Sequence, residues 1–331
     1  MSSPGNGLPD GYDSTAYRTE GNTGTGSQAD PFIPTTCNGF MWAVLQQTMY
    51  VKLTTLIDFS RDDNYKNGIT TYLNISCARL YADTTLADGN LPGINGLIVN
   101  AAHFIWLKTF NNQTIDNVSF LNCIWSRANE TLCVWWRCEA GNCIVTGCVF
   151  SLLIKQNDLY PMFEYSGTLG IQFISCSQYF TFSGGIRAWS SNDHDNNQVA
   201  ALGYTRQNCT IQLSNYVYRP VASNVDSGVT FIGNNTIKNS TIYGDVHLII
   251  SSTNDNVRVN KVDHVCLALN LTYETNWGYP VLVWNNQSNS IIVDKDIIDA
   301  NISRPTATGV NYLTTAQMKS DTYLTQIGFL P

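Results

Sequence analysis

The sequence predicts an all-β protein, and within that class a right-handed, single-stranded parallel β-helix. Residues 118–125, 144–150 and 171–179 each alternate apolar side chains with small or polar ones, which is the two-residue period of a strand. Each segment also carries a cysteine directly after Asn, Gly or Ser. These cysteines recur at intervals of 25 and 28 residues, about the length of one β-helix coil, so the strands are expected to stack.

The cysteines of these segments, Cys123, Cys148 and Cys176, are predicted to form a ladder inside successive coils. Equivalent residues of neighbouring coils lie at the strand spacing, roughly 4.8 Å. A buried thiol fills that space as a small apolar group and remains protonated and unreactive. Stacked asparagines are expected at the corners, where their amides can hydrogen-bond from coil to coil.

The composition fits one large β domain whose surface is polar but carries little charge. Of the 331 residues, 44% are hydrophobic and only 13% are charged. Abundant aromatic and β-branched residues exclude a disordered chain. The net charge of −7 and the absence of a basic run argue against nucleic acid as a partner. No apolar run reaches the ~18 residues of a membrane span, so no membrane partner is predicted.

The first residues contain neither a basic segment nor an apolar segment of the kind that directs secretion. We therefore expect a protein that is made in a cytoplasm rather than an ordinary secretory precursor. In that compartment its 10 cysteines are expected to be mostly reduced thiols.

Residues 1–30 are predicted to form an arm that serves attachment or assembly, because Gly, Ser and Thr dominate and no apolar period is present. Residues 31–60 are predicted to hold a capping helix, over 38–47, and the first strands. Four apolar residues lie at helical spacing there: Phe40, Met41, Val44 and Leu45. A solenoid needs such a cap because an open coil exposes both its core and an unpaired strand edge.

Residues 61–312 are predicted to be the β-helix itself. Short segments rich in aliphatic and aromatic residues follow one another there, separated by clusters of Gly, Asn and Asp. Residues 193–198 are predicted to form a loop that leaves the stack. Residues 313–331 are predicted to close the far end of the β-helix with a short helix.

Several motifs resemble those of the pectate-lyase-like, GLUG-containing β-helix proteins of bacterial surfaces. Residues 24–33 are similar to the Gly-Thr-x-x-Asp-Pro-Tyr/Phe segment that precedes their first helix, and 57–59 to the Asp-Ile-Asp that follows it. Residues 110–123 are similar to their Gly-x-Ile-x-Asn-Leu-x-Leu-x-Asn coil, and 313–329 to their closing helix. The resemblance implies the β-helix fold and says little about activity. This chain departs from the family because its coils are irregular and no leader or anchoring domain is recognisable.

No residue pattern is diagnostic of a catalytic or metal site. The cysteines between 133 and 148 lie five residues apart, a poor match to the closer pairs of zinc sites, so buried thiols are favoured over a disulfide or a metal. The loop 192–197 lacks the Gly and Glu of a calcium-binding loop. The acidic residues available for a glycosidase pair are dispersed: Asp116, Glu130, Glu139, Glu164, Asp245 and Asp263. Lys155 and Arg187 are the basic residues that a lyase would use.

The sequence therefore assigns no catalytic residue, no metal ligand and no cofactor. It leaves open whether the protein is an enzyme and favours that it is not.

Aromatic residues offer a more suggestive pattern, because their ring faces stack on sugars and also anchor protein interfaces. The candidate glycan-binding residues are Trp135, Trp136, Trp189, Tyr204, Tyr216 and Tyr218. Core packing and an oligomer interface remain alternatives for all six. Because neighbouring residues of a strand point to opposite sides, one of Trp135 and Trp136 must face outward.

The function predicted from these features is that of a structural virion protein, a phage head fibre or tail appendage. Short, Asn- and Thr-rich β-helices of this type resemble such appendages, which implies a homo-oligomer, most often a trimer. Residues 1–30 are expected to bind other virion proteins, and the β-helix to bind host surface polysaccharide without catalysis. The alternatives are a polysaccharide depolymerase and a bacterial adhesin at the cell surface.

Overall fold

The structure is a computed structural model, and its described part excludes the first 20 residues and many loops of the second half. The residues described are 21–100, 105–110, 112–126, 134–139, 142–155, 158–159, 163–166, 170–182, 187–188, 205–207, 209–218, 229–232, 237–249, 257–259, 262–274, 282–284, 291–294, 296 and 310–326. Two compact units make up the chain. The first comprises Met1–Glu130, Val134–Gln156 and Tyr165–Ser177, and the second comprises Thr131–Cys133, Asn157–Glu164 and Gln178–Pro331.

Short strands dominate the described part of the chain. The strands are β1 (Asn22–Thr23), β2 (Ile33–Pro34), β3 (Tyr50–Lys52), β4 (Leu56–Asp58), β5 (Leu73–Ile75), β6 (Arg79–Tyr81), β7 (Gly93–Asn95), β8 (Ile98–Val99), β9 (Ile105–Thr109), β10 (Gln113–Asp116), β11 (Ser119–Ser126), β12 (Val134–Glu139), β13 (Asn142–Thr146), β14 (Val149–Lys155), β15 (Asp158–Leu159), β16 (Phe163–Ser166), β17 (Gly170–Ile174), β18 (Ser177–Phe182), β19 (Arg187–Ala188), β20 (Thr205–Gln207), β21 (Thr210–Tyr218), β22 (Val229–Ile232), β23 (Ile237–Ile249), β24 (Val257–Val259), β25 (Val262–Glu274), β26 (Leu282–Trp284), β27 (Ile291–Asp294) and β28 (Val310–Leu313). The helices are α1 (Cys37–Ala43), α2 (Thr315–Met318) and α3 (Asp321–Gln326), with a 3-10 turn at Phe59–Arg61.

The first unit is a parallel β-helix, as the sequence predicts. Its first stack consists of β3, β6, β10, β13 and β17, each paired in parallel with the next. The second stack contains β4, β7, β8, β11 and β14, and the third contains β5, β9 and β12. The chain visits the three stacks in turn, and the circuit that begins with β6 adds both β7 and β8 to the second stack.

The interior of the first unit is apolar because alternate residues of each strand point inward. The inward residues of the first stack are all fully buried: Val51, Leu80, Ile115, Val145 and Phe173. Aromatic rings fill the space between the stacks. Phe120 and Phe150 stack with centroids 5.0 Å apart, and the Trp136 ring meets Phe150 edge-on at 5.8 Å.

A repeated corner separates the first stack from the second. Asn117, Gly147 and Ser175 follow β10, β13 and β17, and their φ angles are +54°, +62° and +53°. Asn117 N–H donates to the Thr146 carbonyl and Gly147 N–H to the Ile174 carbonyl, so these two corners are each bonded to the coil above. Glycine suits the middle corner, because a Cβ at Gly147 would lie 2.2 Å from Asn117 Oδ1.

Helix α1 covers the end of the first coil, where the sequence predicted a cap over 38–47. All seven of its residues are buried, and the side chain of the N-cap, Thr36, accepts a hydrogen bond from Gly39 N–H. The Phe40 ring packs edge-on against Phe59 of the first coil, with centroids 5.9 Å apart. The helix ends at Ala43, earlier than predicted.

The second unit also consists of stacked parallel strands. Strands β21, β23, β25, β27 and β28 pair in succession, and β22, β24 and β26 form a separate stack. Strands β23 and β25 are each 13 residues long, and their pairing runs from Ile237–Val262 to Ile249–Glu274.

Two short helices, α2 and α3, end the described part of the second unit, where the sequence predicts one. A capping box joins Thr314 and Gln317 at the start of α2, and the Asp296 carboxylate accepts a hydrogen bond from Thr315 N–H at 2.8 Å. None of the helices in the described ranges has the length and apolar character needed to cross a membrane.

Candidate functional site

The outward side of the first stack carries a cluster of charged and aromatic residues. Strand alternation places them there, because the residues between them point into the core. We call this cluster the charged face; its members are Tyr50, Lys52, Arg79, Tyr81, Asp83 and Asp116. Strand pairing aligns Lys52 with Tyr81 and Tyr81 with Asp116, so three successive coils contribute to one surface.

Two ion pairs cross between coils on the charged face. Arg79 Nε lies 2.7 Å from Asp116 Oδ2, and Lys52 Nζ lies 2.6 Å from Asp83 Oδ2. The hydrogen bond to Asp83 raises the pKa of Lys52. Both cations therefore have a carboxylate partner, and the formal charges of the four side chains sum to zero.

Arg79 makes a second contact that fixes its position. Its guanidinium carbon lies 4.4 Å from the centroid of the Tyr81 ring, which is within the range of a cation–π interaction. Within the described ranges, no hydrogen bond involves the Nη atoms of Arg79 or Oδ1 of Asp116. The pair thus presents donors and an acceptor side by side, with Arg79 41% exposed and Asp116 17% exposed.

A long connection lies next to the charged face. Residues 82–92 join β6 to β7, whereas residues 53–55 join β3 to β4 and residues 117–118 join β10 to β11. The tip of the long connection is exposed. There the Asp88 carboxylate accepts a hydrogen bond from Asn90 N–H, and this bond lowers the pKa of Asp88. The Lys52–Asp83 ion pair fixes its base to the first stack.

The structure corrects the prediction that Trp136 binds glycans. Its side chain is fully buried, and its ring packs edge-on against Phe150 and Phe173. The indole N–H donates a 2.9 Å hydrogen bond to the Thr109 hydroxyl. Because the ring has no surface to offer a sugar, Trp136 is a core residue. It is the inward member of the Trp135–Trp136 pair.

The other predicted aromatic residues are placed only in part. Trp135 lies on β12, and Tyr216 and Tyr218 lie on β21. For these three residues the structure describes the backbone but not the side chain. Trp189 and Tyr204 lie outside the described residues. For these five residues glycan binding remains a prediction.

The predicted thiol ladder is correct for two of its three members. Cys148 and Cys176 are buried and directly follow the equivalent corner residues Gly147 and Ser175. Their thiols make matching contacts one coil apart: Cys148 with the Ile115 and Thr146 carbonyls, and Cys176 with those of Val145 and Ile174.

Cys123 is also buried but belongs to another column, which corrects the predicted register. It pairs with Leu152 of β14, and the counterpart of Cys148 in the coil below is Val118, whose carbonyl accepts from Val149 N–H. The interval of 25 residues between Cys123 and Cys148 is therefore not a coil repeat. Burial raises the pKa of Cys123 to about 12, and that of Cys77 likewise to about 12.

A ladder of polar side chains joins three coils at the second stack, where Asn95 Nδ2 donates to Asp58 Oδ1 at 3.0 Å and Asn122 Nδ2 donates to Asn95 Oδ1 at 2.8 Å. Hydrogen bonds from Ser60 and Asn95 lower the pKa of Asp58. The expected stacking of asparagine amides is therefore present here, and one of its members, Asn122, has a φ of +49°.

The sequence patterns do not single out most residues of the charged face. Asp116 was among the dispersed acidic residues, but Lys52, Arg79 and Tyr81 lie on three-residue strands that are too short to show a clear alternation. The sequence feature that could have indicated this face is Arg79-Leu80-Tyr81, in which two outward residues flank one inward leucine.

Comparisons with known proteins find no relative of this chain. No family model matches this chain, and no curated protein or solved structure matches it. Within the described residues, no group of three His, Cys, Asp or Glu side chains is placed to hold a metal ion.

Proposed function

We propose that this protein is a non-catalytic attachment protein that binds a glycan through the charged face. The observation that carries the proposal is the Arg79–Asp116 pair beside Tyr81, on the outward side of a regular parallel stack. The β-helix fold itself does not require charged side chains on this face.

The chemistry of the face suits sugar hydroxyls. A guanidinium offers several N–H donors in a fixed plane, and an adjacent carboxylate offers acceptor oxygens, so the two together can bind neighbouring hydroxyl groups. The apolar side of a sugar ring can pack against a tyrosine ring. Tyr50 and Tyr81 lie on neighbouring strands and are both partly exposed, which provides such contacts beside the Arg79–Asp116 pair.

Stability does not explain why these charges are present. A partly exposed ion pair contributes about 0.2–1 kcal/mol, because water screens it and its side chains lose freedom. Both pairs are partly exposed: the side chains of Lys52 and Asp83 are 25% and 51% exposed, and those of Arg79 and Asp116 are 41% and 17% exposed. In a chain with only 13% charged residues, four charges on one face favour a binding role.

The experiment that tests glycan binding is affinity electrophoresis of the full chain in gels that contain a polysaccharide. Arg79→Ala and Tyr81→Ala are expected to abolish the retardation seen for the unmodified protein. Lys66→Ala is the matched control, because Lys66 forms a comparable ion pair with Asp63 away from the face. Equal retardation of all four proteins would contradict the proposal.

We also propose that the protein is carried on a virion, as a head fibre or tail appendage built from several copies, most simply three. Support comes from the β-helix fold and from a surface that is rich in uncharged polar residues. Mass spectrometry of purified particles is expected to find it. Its detection only in a bacterial envelope fraction would favour a cell-surface adhesin instead.

A depolymerase is the second candidate, because Asp83 and Asp116 place two carboxylates on the same face. A glycosidase requires two such groups, at roughly 5–10 Å. An assay for new reducing ends or unsaturated products, run on any polysaccharide that binds, separates this candidate from simple attachment.

A further inference from the structure

The charge balance of the charged face restricts the class of glycan that it can bind. Each cation is already paired with a carboxylate, at 2.7 Å for Arg79 and Asp116 and at 2.6 Å for Lys52 and Asp83. An anionic sugar would have to displace one of these carboxylates or lie beside it. Either arrangement brings like charges together, which opposes binding.

The whole chain adds to this effect. Its net charge is −7 and its pI is about 5.0, so its long-range field repels polyanions at neutral pH. A neutral sugar meets no such repulsion. Its hydroxyls can donate to Asp116 Oδ1 and accept from the Arg79 Nη atoms without disturbing the Arg79 Nε–Asp116 Oδ2 contact.

We propose that the charged face selects neutral polysaccharides and rejects those that carry carboxylates or sulfates. This inference rests on the proposed glycan-binding function and names its ligand class. Asp83 and Asp116 are the specificity-determining residues, because they cancel the charge of Lys52 and Arg79.

The test uses affinity electrophoresis of the full chain with two sets of probes. Dextran, mannan and galactan are the neutral polymers, and polygalacturonate and hyaluronan are the acidic ones. Retardation by at least one neutral polymer and by neither acidic polymer is the expected result. Retardation by an acidic polymer alone overturns the inference but leaves the proposed function intact. If no polymer retards the protein, both are contradicted.

A sharper test removes the two negative charges of the charged face and asks whether the protein then binds an acidic polysaccharide. The double variant Asp83→Asn/Asp116→Asn leaves two cations unpaired, so it is expected to gain binding to polygalacturonate, with affinity at least tenfold above that of the unmodified protein. That gain should disappear between about 50 mM and 300 mM salt, because screening shortens the range of the attraction.

The matched control is Asp63→Asn/Asp321→Asn, which changes the net charge equally at two exposed positions outside the charged face. It should not bind polygalacturonate. Equal gains in the two double variants would show that net charge alone determines the preference, and would overturn the assignment to Asp83 and Asp116. Thermal melting of both variants confirms that each remains folded.

Discussion

Alternate residues of the same five strands form the inner and the outer side of the first stack. The chemical type of the side chain is the same in every coil on the inner side, but it varies from coil to coil on the outer side. The inward residues are apolar in every coil: Val51, Leu80, Ile115, Val145 and Phe173. The outward residues in the next register position are Lys52, Tyr81, Asp116, Thr146 and Ile174. The outer side therefore changes from charged and aromatic to uncharged along the stack.

This difference separates what folding requires from what it leaves free. The inner side must exclude water in every coil, because each buried aliphatic side chain contributes about 1.5–3 kcal/mol. The outer side needs only hydrogen-bonded strands beneath it, so its side chains can serve recognition. If this division is correct, substitutions on the inner side should change stability and substitutions on the outer side should change binding.

The largest effect is expected for Phe173→Ala, which removes the inward ring of β17. Phe173 is fully buried and contacts the rings of Trp136 at 5.6 Å and Phe150 at 6.3 Å. The loss should be about 3–5 kcal/mol in the free energy of unfolding, measured by urea denaturation. Thr114→Ala, on the outward side of β10, is the control. Similar losses in both variants would contradict the division between the two sides.

A smaller effect is expected where a core residue keeps a six-membered aromatic ring but loses the rest of its indole and a hydrogen bond. Trp136→Phe removes the hydrogen bond to Thr109, whose hydroxyl is left buried, and should cost about 2 kcal/mol. Trp125→Phe is the matched variant, because Trp125 is equally buried but its indole N–H has no partner within the described ranges. It should cost at least about 1 kcal/mol less. Equal costs would show that the indole hydrogen bond contributes nothing.

The sequence predicts the stacked parallel strands but not which residues share a column, because the coils differ in length. Equivalent residues in the outward column lie 29, 35, 30 and 28 residues apart, from Lys52 to Ile174. The long connection at 82–92 lengthens one coil, so no fixed period aligns Lys52, Tyr81 and Asp116. The fold survives this irregularity because the inward positions need only be apolar.

The same irregularity explains the error in the thiol ladder. Cys123 and Cys148 both follow a residue with positive φ, Asn122 and Gly147, and both are buried. Their local sequences therefore look equivalent, although one lies within β11 and the other precedes β14. Only strand pairing distinguishes the two columns, and pairing between distant segments is not visible in local patterns.

The thiol column itself should be moderately sensitive. Cys148→Ala is expected to cost about 1–2 kcal/mol, through lost transfer energy and a small cavity between Ile115 and Thr146. Urea denaturation gives the cost. Cys148 and Cys176 should also resist iodoacetamide in the native protein and react after denaturation. Rapid native labelling of both would contradict the placement of this column in the core.

Alkaline pH should reveal the buried thiols in a second way. Burial raises the pKa of Cys123 from 9.0 to about 12, so the unfolded chain loses this proton first as the pH rises. The stabilisation that the raised pKa of Cys123 provides is therefore fully present below pH 9, and it is lost progressively as the pH rises toward 12. Cys123→Ala should lessen this decline by about 1 kcal/mol between pH 9 and pH 10. An unchanged decline would show that the thiol titrates normally in the native state.

The smallest effect on stability is expected for Asp116→Ala, although it lies next to one of the most buried residues of the chain. Asp116 points outward and pairs with a half-exposed arginine, so its removal should cost less than about 1 kcal/mol. Ile115→Ala, one residue away on the inner side, should cost about 2–5 kcal/mol. Glycan binding should follow the opposite order, because Asp116→Ala removes an acceptor from the charged face and exposes the charge of Arg79. Urea denaturation and affinity electrophoresis of the two variants measure both orders. A cost above 2 kcal/mol for Asp116→Ala would mean that the Arg79–Asp116 pair holds neighbouring coils together, and it would remove the main reason for assigning that pair to recognition.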